Sequence, residues 1–313
     1  MPPVAIKHHG VTRSTRFHAR SSARRSEWKQ PRTHKCNRYH RLVILRTPSE
    51  IQDARAAAHC VVQTHQRLAE WVRVGHTLAE VDAFCGSIFK ELKCTSAFVG
   101  YKVRGHPPFR SQTCLSLNDM VVHGEHDATV LAEGDLLALD IGVKHRGMIG
   151  DAAWTYSIGS ATEIGKRLQA CGRESLRRGI AAIAPGRPLI DWAKAVHGYV
   201  EKECRFYLVR GLGGHGIGHT LHETPYIANT PPTYPGEWTE AWKAFEPGML
   251  LAVEPMISSG TTEIRSNGNA WPIWTADGSL SVHYEADVMV TENGCEVFTA
   301  ALDELPDVVG GKL

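Results

Sequence analysis

The chain has 313 residues, 42% of them hydrophobic, and a formal net charge of +2, enough apolar material to bury a large core as one big domain or two small ones. No run approaches the roughly 18 apolar residues of a membrane span, and no apolar signal core stands near the start, so the chain reads as a cytoplasmic protein that does not enter a membrane. Its eight cysteines (Cys36, Cys60, Cys85, Cys94, Cys114, Cys171, Cys204 and Cys295) show no C-x-x-C spacing, which excludes a disulfide framework and implies reduced thiols.

The small net charge hides an asymmetry. Residues 1–48 carry twelve Lys or Arg against one acid, Glu27, and the rest of the chain offsets that +11 with −9. A basic arm containing Ser and His and few apolar residues cannot bury enough surface to offset its ordering entropy. Residues 1–46 are therefore expected to be a disordered arm beside a folded domain over 47–313. Within the arm His34, Cys36 and His40 match no common zinc-finger spacing. Arms of this composition touch nucleic acid or stay solvated.

Thr47-Pro48-Ser49-Glu50 is a capping box with proline at the first helical position, and it opens an Ala-rich amphipathic run to about Val74. The same pattern at Thr77 to Glu80 opens a second helix to about Leu92. Strand-like segments follow at 112–118 and 120–123, and then a hairpin over 136–158. Ser160 to Glu163 caps a third helix to about Ile183. The break Ala184-Pro-Gly-Arg-Pro188 precedes helical periodicity over 189–203, and Arg205 to Val209 leads into a glycine-rich loop. Two apolar strands, Met249 to Ser258 and Ser281 to Thr291, close the chain. Two helices, strands, two helices, strands is the pattern of an α+β domain of two similar halves, with helices on one face of a curved antiparallel sheet.

The hairpin carries the first chemistry. A turn centred between His145 and Arg146 would set Asp140 directly opposite Asp151, Cα atoms about 5 Å apart. Two ionised carboxylates at about 4 Å repel by roughly 4 kcal/mol at an effective dielectric near 20. A cation partner, a shared proton, or one or two metal ions could offset this, and metal best explains acids placed among Leu137, Leu139, Ile141, Ala152 and Ala153. The bland alternative, one Asp capping a turn and the other solvated, stands level with it on the hairpin alone.

Each late strand also places an acid in an apolar setting, Glu254 in LLAVEPMIS and Glu285 in VHYEADVMV. Taken singly, each is an ordinary acid paired with an Arg. Between them and the hairpin lies Gly211-Leu-Gly-Gly-His215-Gly-Ile-Gly-His-Thr-Leu-His222-Glu-Thr-Pro225. Four apolar-flanked carboxylates and a histidine in near-naked backbone form an oxygen-rich, nitrogen-poor set suited to divalent ions. Gly211, Gly213 and Gly216 match G-x-G-x-x-G, but no βαβ unit surrounds them, which argues against a dinucleotide site. His215, His219 and His222 do not make H-E-x-x-H, and Pro225 would break the helix that motif needs.

NDMVVHG (118–124), LDIGV with GDAAWT (139–155), EIGKRL (163–168), GHGIGHTLHETP (214–225), EPGMLLAVEPM (246–256) and DGSLSVHYEADVMVTENG (277–294) together resemble the type I methionine aminopeptidases, metallopeptidases of the pita-bread fold. The resemblance implies a hydrolase that removes N-terminal methionine from nascent proteins and peptides with a small second residue. It makes Asp140, Asp151, His215, Glu254 and Glu285 the ligands of two divalent ions (Co, Mn, Fe or Zn), with Asp151 and Glu285 bridging. Metal-activated water would attack the first peptide bond while Glu254 shuttles its proton. His222 and His123 would hydrogen-bond the tetrahedral centre and the amide of the second residue.

The chain departs from the family's G-Y-x-G-[FY]-P-x-S segment, because Gly100-Tyr101-Lys-Val-Arg-Gly-His-Pro-Pro-Phe109-Arg-Ser111 holds the pieces with extra residues between them. Tyr101, Phe109, Cys114 and Trp271 are the candidates to line the methionine pocket, with Leu221 where the family usually has Phe. A proline-specific aminopeptidase or prolidase of the same fold is one rival; it would usually carry a sizeable N-terminal domain, and only about 92 residues separate Thr47 from Asp140. Type II relatives carry a large insertion where Glu254 here follows His215 by 39 residues. The other rival, a metal-free binding protein, is disfavoured because all five ligands are present. The resemblance begins at about Leu42, where many short members open, and this leaves two readings of residues 1–41: a segment that binds ribosomal RNA, or an upstream start assignment with initiation near Leu42 or Val43. The expected partners are N-terminal Met peptides, nascent chains and, through the arm, the ribosome, for a chain that acts as a monomer.

Overall fold

In the computed structural model, which describes residues 42–311, the chain is packed from its first described residues. Val43 and Leu45 are buried, and the Leu45 N–H donates to the Gly248 carbonyl at 2.8 Å. The apolar run Leu42–Leu45 thus lies against the domain, although a boundary drawn on charge sets it with the arm. The arm itself, residues 1–41 with His34, Cys36 and His40, lies outside the described residues.

Helix α1 (Pro48–Trp71) begins at the capping box: Thr47 Oγ1 accepts from the Glu50 N–H, and the Glu50 carboxylate accepts from the Thr47 N–H at 2.9 Å. Helix α2 (Leu78–Glu91) repeats this with Thr77 and Glu80. Strands β1 (Thr95–Ser96), β2 (Cys114–Leu117), β3 (Met120–Val122), β4 (Leu136–His145) and β5 (Met148–Ile158) follow. Helix α3 (Glu163–Ala181) is capped by Thr162, which accepts from the Gly165 N–H at 3.0 Å, and not by Ser160. Helix α4 (Ile190–His197) runs into a π-helical stretch, Gly198–Cys204. The chain then forms β6 (Tyr207–Leu208), β7 (Gly213–Gly216), β8 (Glu223–Ala228), β9 (Leu250–Val253), β10 (Met256–Ser258), β11 (Ile264–Ser266), β12 (Ile273–Thr275), β13 (Ser281–His283), β14 (Ala286–Thr291), β15 (Gly294–Val297) and β16 (Val308–Val309).

One sheet has the order β1-β4-β5-β16 with β2 paired to β4; a second has the order β15-β14-β9-β7-β8. Smaller sheets, β13-β10-β6 and β11-β12-β3, complete the strands. Helix α1 packs on the β4–β5 hairpin, and α3 packs on β13, β10 and α4. This is an α+β architecture in which each half supplies a pair of helices and antiparallel strands.

Three expectations change in the structure. The hairpin turn is Arg146-Gly147, with positive φ at both residues (50° and 82°), the two-residue geometry that matches the twist of paired strands. His145 therefore pairs with Met148, Asp140 lies opposite Ala153, and Asp151 lies opposite Gly142. The two acids are diagonal neighbours on one face, not a directly opposed pair.

The glycine-rich segment, expected as a loop, is strand β7, squeezed between β8 and β9. A Cβ at Gly214 would stand 2.3 Å from the Ala252 carbonyl oxygen, and one at Gly216 would stand 2.1 Å from that of Thr224. Neighbouring backbone explains the glycines there, as it does wherever strands approach this closely.

Both closing strands are broken. Met249 to Ser258 becomes β9 and β10, interrupted at Glu254-Pro255, where proline has no N–H to give a ladder. Ser281 to Thr291 becomes β13 and β14, interrupted at Tyr284-Glu285. Val253 pairs with Ala286 on one side of the break and Met256 with His283 on the other. The shared register sets Glu254 across from Glu285 where the two strands pass between sheets.

Candidate active site

Three strands and two strand breaks converge on a buried group of acids and imidazoles. β4 and β5 bring Asp140 and Asp151, β7 brings His215, and the two strand breaks bring Glu254 and Glu285. One ligand atom each from Asp151, His215 and Glu285 lie within 4.8 Å of one another, as do one each from Glu254, His283 and Glu285. Asp140 stands beside Asp151 and the Cys114 thiol within this group. The His215 Nδ1–H donates to the Gly216 carbonyl at 3.0 Å. A carbonyl can only accept, so that bond leaves the Nε2 lone pair free, and Nε2 faces Glu254 Oε1 at 3.6 Å.

The charges are unbalanced. Burial, and then the neighbouring acids, push the Asp151 and Glu285 carboxyls well above the usual range. Burial chiefly raises Asp140 to about 6 and Glu254 to about 7. Among the described residues Glu254 forms ion pairs only with the imidazoles of His215 and His283, and no Lys or Arg pairs with Asp140, Asp151 or Glu285. Asp140 Oδ1 and Asp151 Oδ1 are buried with no hydrogen-bond partner. A buried carboxylate oxygen left this way costs several kcal/mol. A divalent cation removes both the repulsion and the orphaned acceptors, and oxygen donors with one or two imidazoles suit such an ion.

Beside the acids stand the aromatic and imidazole side chains of the expected methionine cleft. Tyr101 Oη lies 2.7 Å from His222 Nδ1, and the His222 ring is 4.4 Å from that of His215. Burial and the nearby His215 and His123 hold His222 well below its ordinary value; burial takes His123 down to about 4. His123 follows β3 with φ +61°, an uncommon conformation for a residue with a Cβ that tends to mark functional positions. Its ring is 6.0 Å from that of Trp271, which also meets Phe109 at 5.6 Å and Tyr101 at 6.1 Å. Phe109, Cys114, Leu221 and Trp271 are buried in one apolar cluster, and Tyr101 packs against it.

The inserted residues do not push these pieces apart. The Gly100 N–H donates to the Phe109 carbonyl at 2.8 Å and the Phe109 N–H donates to Tyr101 at 3.0 Å, so 102–108 form an excursion closed at its base. Its far side returns to the cleft, where the Trp271 indole N–H donates to the Pro107 carbonyl at 2.8 Å.

Two buried residues of the site escaped the sequence reading. His283 Nε2 lies 3.1 Å from Glu254 Oε2. Asp287 Oδ2 accepts from the Asp151 N–H at 3.0 Å, and burial raises that carboxyl to about 8. Period-two alternation through His283, Glu285 and Asp287 is the signal that could have found them.

A buried carboxylate and imidazole cluster on this fold defines a metallopeptidase. Residues 52–292 match the metallopeptidase family M24, and the chain belongs to that family. Within it, the chain is 34% identical to methionine aminopeptidase 1 of Bacillus subtilis over 82% of this chain and 99% of the relative. It is 33% identical to methionine aminopeptidase of Escherichia coli over 85% and 98% respectively. The crystal structure of methionine aminopeptidase from Thermotoga maritima is similar at a TM-score of 0.75 and 35% identity, with 82% of this chain and 99% of that chain covered. The prolidase from Pyrococcus furiosus, at 20% identity, a TM-score of 0.62 and 65% of its own length covered, shares the fold. The fold is the pita-bread α+β fold of these enzymes, and its buried cluster is a divalent-metal site. No helix among the described residues is long and apolar enough to cross a membrane.

Proposed function

We infer that the chain is a methionine aminopeptidase that removes N-terminal methionine from nascent proteins and peptides with a small second residue. The observation that carries this is the buried set of donors which, among the described residues, has no Lys or Arg counter-charge and stands beside the aromatic cluster of Tyr101, Phe109 and Trp271. Asp140, Asp151, His215, Glu254 and Glu285 would hold two divalent ions (Co, Mn, Fe or Zn). When bound, such ions supply an acidified water and polarise the scissile carbonyl.

The remaining work falls to side chains. Glu254, bracketed by the imidazoles of His215 and His283, would take a proton from the attacking water and return it to the leaving amine. His222 is held neutral by its buried surroundings and its ring is fixed by Tyr101. It can therefore donate to the oxygen that gains charge as the carbonyl is attacked. His123 at the cleft's other wall hydrogen-bonds the amide of the second residue. Tyr101, Phe109, Cys114, Leu221 and Trp271 surround the methionine side chain, whose polarisable thioether suits an aromatic wall. The enzyme acts as a monomer in the cytoplasm, and the basic arm, whose +10 over residues 1–41 supports it, approaches the ribosome.

Purified protein incubated with Met-Ala, Met-Lys and Ala-Pro peptides, with and without a chelator, tests the reading. Methionine released from Met-Ala, far less from Met-Lys, and none after chelation is the expected result. Cleavage of Ala-Pro in preference to Met-Ala would assign the chain to the proline-specific relatives.

A further inference from the structure

We propose that His283 is a sixth ligand of the metal centre, so that an imidazole nitrogen stands on each side of the shared Glu285 carboxylate. The proposal rests on the metallopeptidase reading above and concerns a residue outside the five ligands that the family resemblance implies. Its ground is geometric. The donor atoms of Glu254, His283 and Glu285 lie within 4.8 Å of one another, the same spread as Asp151, His215 and Glu285, and the two groups meet at Glu285.

His283 is held for this position. Its N–H donates to Thr155 Oγ1 at 3.0 Å, and its carbonyl accepts from the same hydroxyl at 2.9 Å. One β5 residue thus clamps the backbone of His283 from both sides, four positions beyond Asp151. The side chain is buried, with 3% of its surface accessible. Its Nε2 faces Glu254 Oε2 at 3.1 Å while His215 Nε2 faces the other oxygen at 3.6 Å, so Glu254 is bracketed by two imidazoles from two different sheets. A cation held by Glu254 and Glu285 would have the His283 nitrogen within reach, since the three donor atoms lie within 4.8 Å of one another. A second nitrogen donor moves the site's preference from Mn toward Co, Zn and Fe, for which imidazole is the better ligand.

The competing role for His283 is to position Glu254 through the hydrogen bond alone, and glutamine separates the two. In H283Q the side-chain amide can still donate to Glu254 but cannot replace an imidazole on the metal. Calorimetric titration of the chelator-stripped full-length protein with Co²⁺ and with Mn²⁺ reads affinity without reference to turnover. The expected result is two Co²⁺ per wild-type chain, with one of the two bound at least about tenfold more weakly in H283Q and Mn²⁺ binding affected less. X-ray absorption on the Co²⁺-loaded wild type needs no variant: two imidazoles per pair of ions is the expected count. One imidazole per pair, or H283Q titrating like wild type, overturns the sixth ligand and leaves the five-ligand reading standing. A wild-type chain that takes up no divalent ion overturns both.

Discussion

Stripping the metal should make the protein's stability fall with pH in the neutral range. Asp140, Glu254 and Asp287 have folded values of about 6, 7 and 8, above their ordinary 3.8, 4.5 and 3.8, and Asp151 and Glu285 move in the same direction. For each, the metal-free folded chain holds more protons than the unfolded one above about pH 4, so stability falls as pH rises to the folded value. The buried imidazoles oppose this. His123 and His283 are lowered from 6.5 to about 4, so folding gains stability as pH rises from 4 to 6.5. Below pH 6.5 the two trends oppose each other; above it only the acids still change. From pH 6.5 to 8 the ligand Glu254, with its folded value of about 7, alone costs about 1 kcal/mol at roughly 1.4 kcal/mol per pH unit up to that value, and Asp151 and Glu285 add to it. A bound divalent ion keeps its carboxylate ligands ionised and removes their share of this dependence, while the share of Asp287, which is not a ligand, is common to both forms. Thermal melts by circular dichroism, with and without chelator at pH 6.5 and pH 8, should show a metal-dependent gap that widens by several degrees at the higher pH. A chelated protein that melts as high at pH 8 as at pH 6.5, with the loaded form unchanged, would refute the reasoning.

Asp151→Asn should abolish Met-Ala hydrolysis while leaving the far-ultraviolet spectrum unchanged, because it removes a charge and not core volume; near wild-type kcat would contradict the metal assignment. His222→Ala should lower kcat by about a hundredfold with full metal content by elemental analysis, the scale of losing a preorganised donor, and a stoichiometric loss of metal would make His222 a ligand. Gly150→Ala should destabilise by about 1–3 kcal/mol in denaturant titration, since its Cβ would sit 2.6 Å from backbone atoms of Ala57 and Ala58 where α1 crosses β5. Removing residues 1–41 should leave peptide hydrolysis intact and abolish any salt-sensitive co-sedimentation with ribosomes; unchanged sedimentation of the shortened chain would detach the arm from that role.

Local chemistry was legible in the sequence where short-range rules govern. The Thr47 and Thr77 capping boxes act within four residues and appear as read. The hairpin is present because β-branched and apolar runs flank a glycine turn. The acids at 140, 151, 254 and 285 stood out because each is a charge among apolar neighbours, and the structure gathers Asp151, Glu254 and Glu285 into two donor groups that meet at Glu285, with Asp140 beside Asp151. The hairpin register depended on which two residues take positive φ, and a shift of the turn by one residue moves the pairing by two. No local pattern near His145 decides that. Likewise, the glycines around His215 read as a loop because what they make room for, the carbonyls of Ala252 and Thr224, comes from distant or folded-back chain. The breaks at Glu254 and Glu285 exist because two strands cross together between sheets, and His283 and Asp287 acquire their surroundings only there. Residue types and their spacing determined which groups could do metal chemistry; which of them share one buried site was decided by long-range strand pairing, whose partners no local window contains.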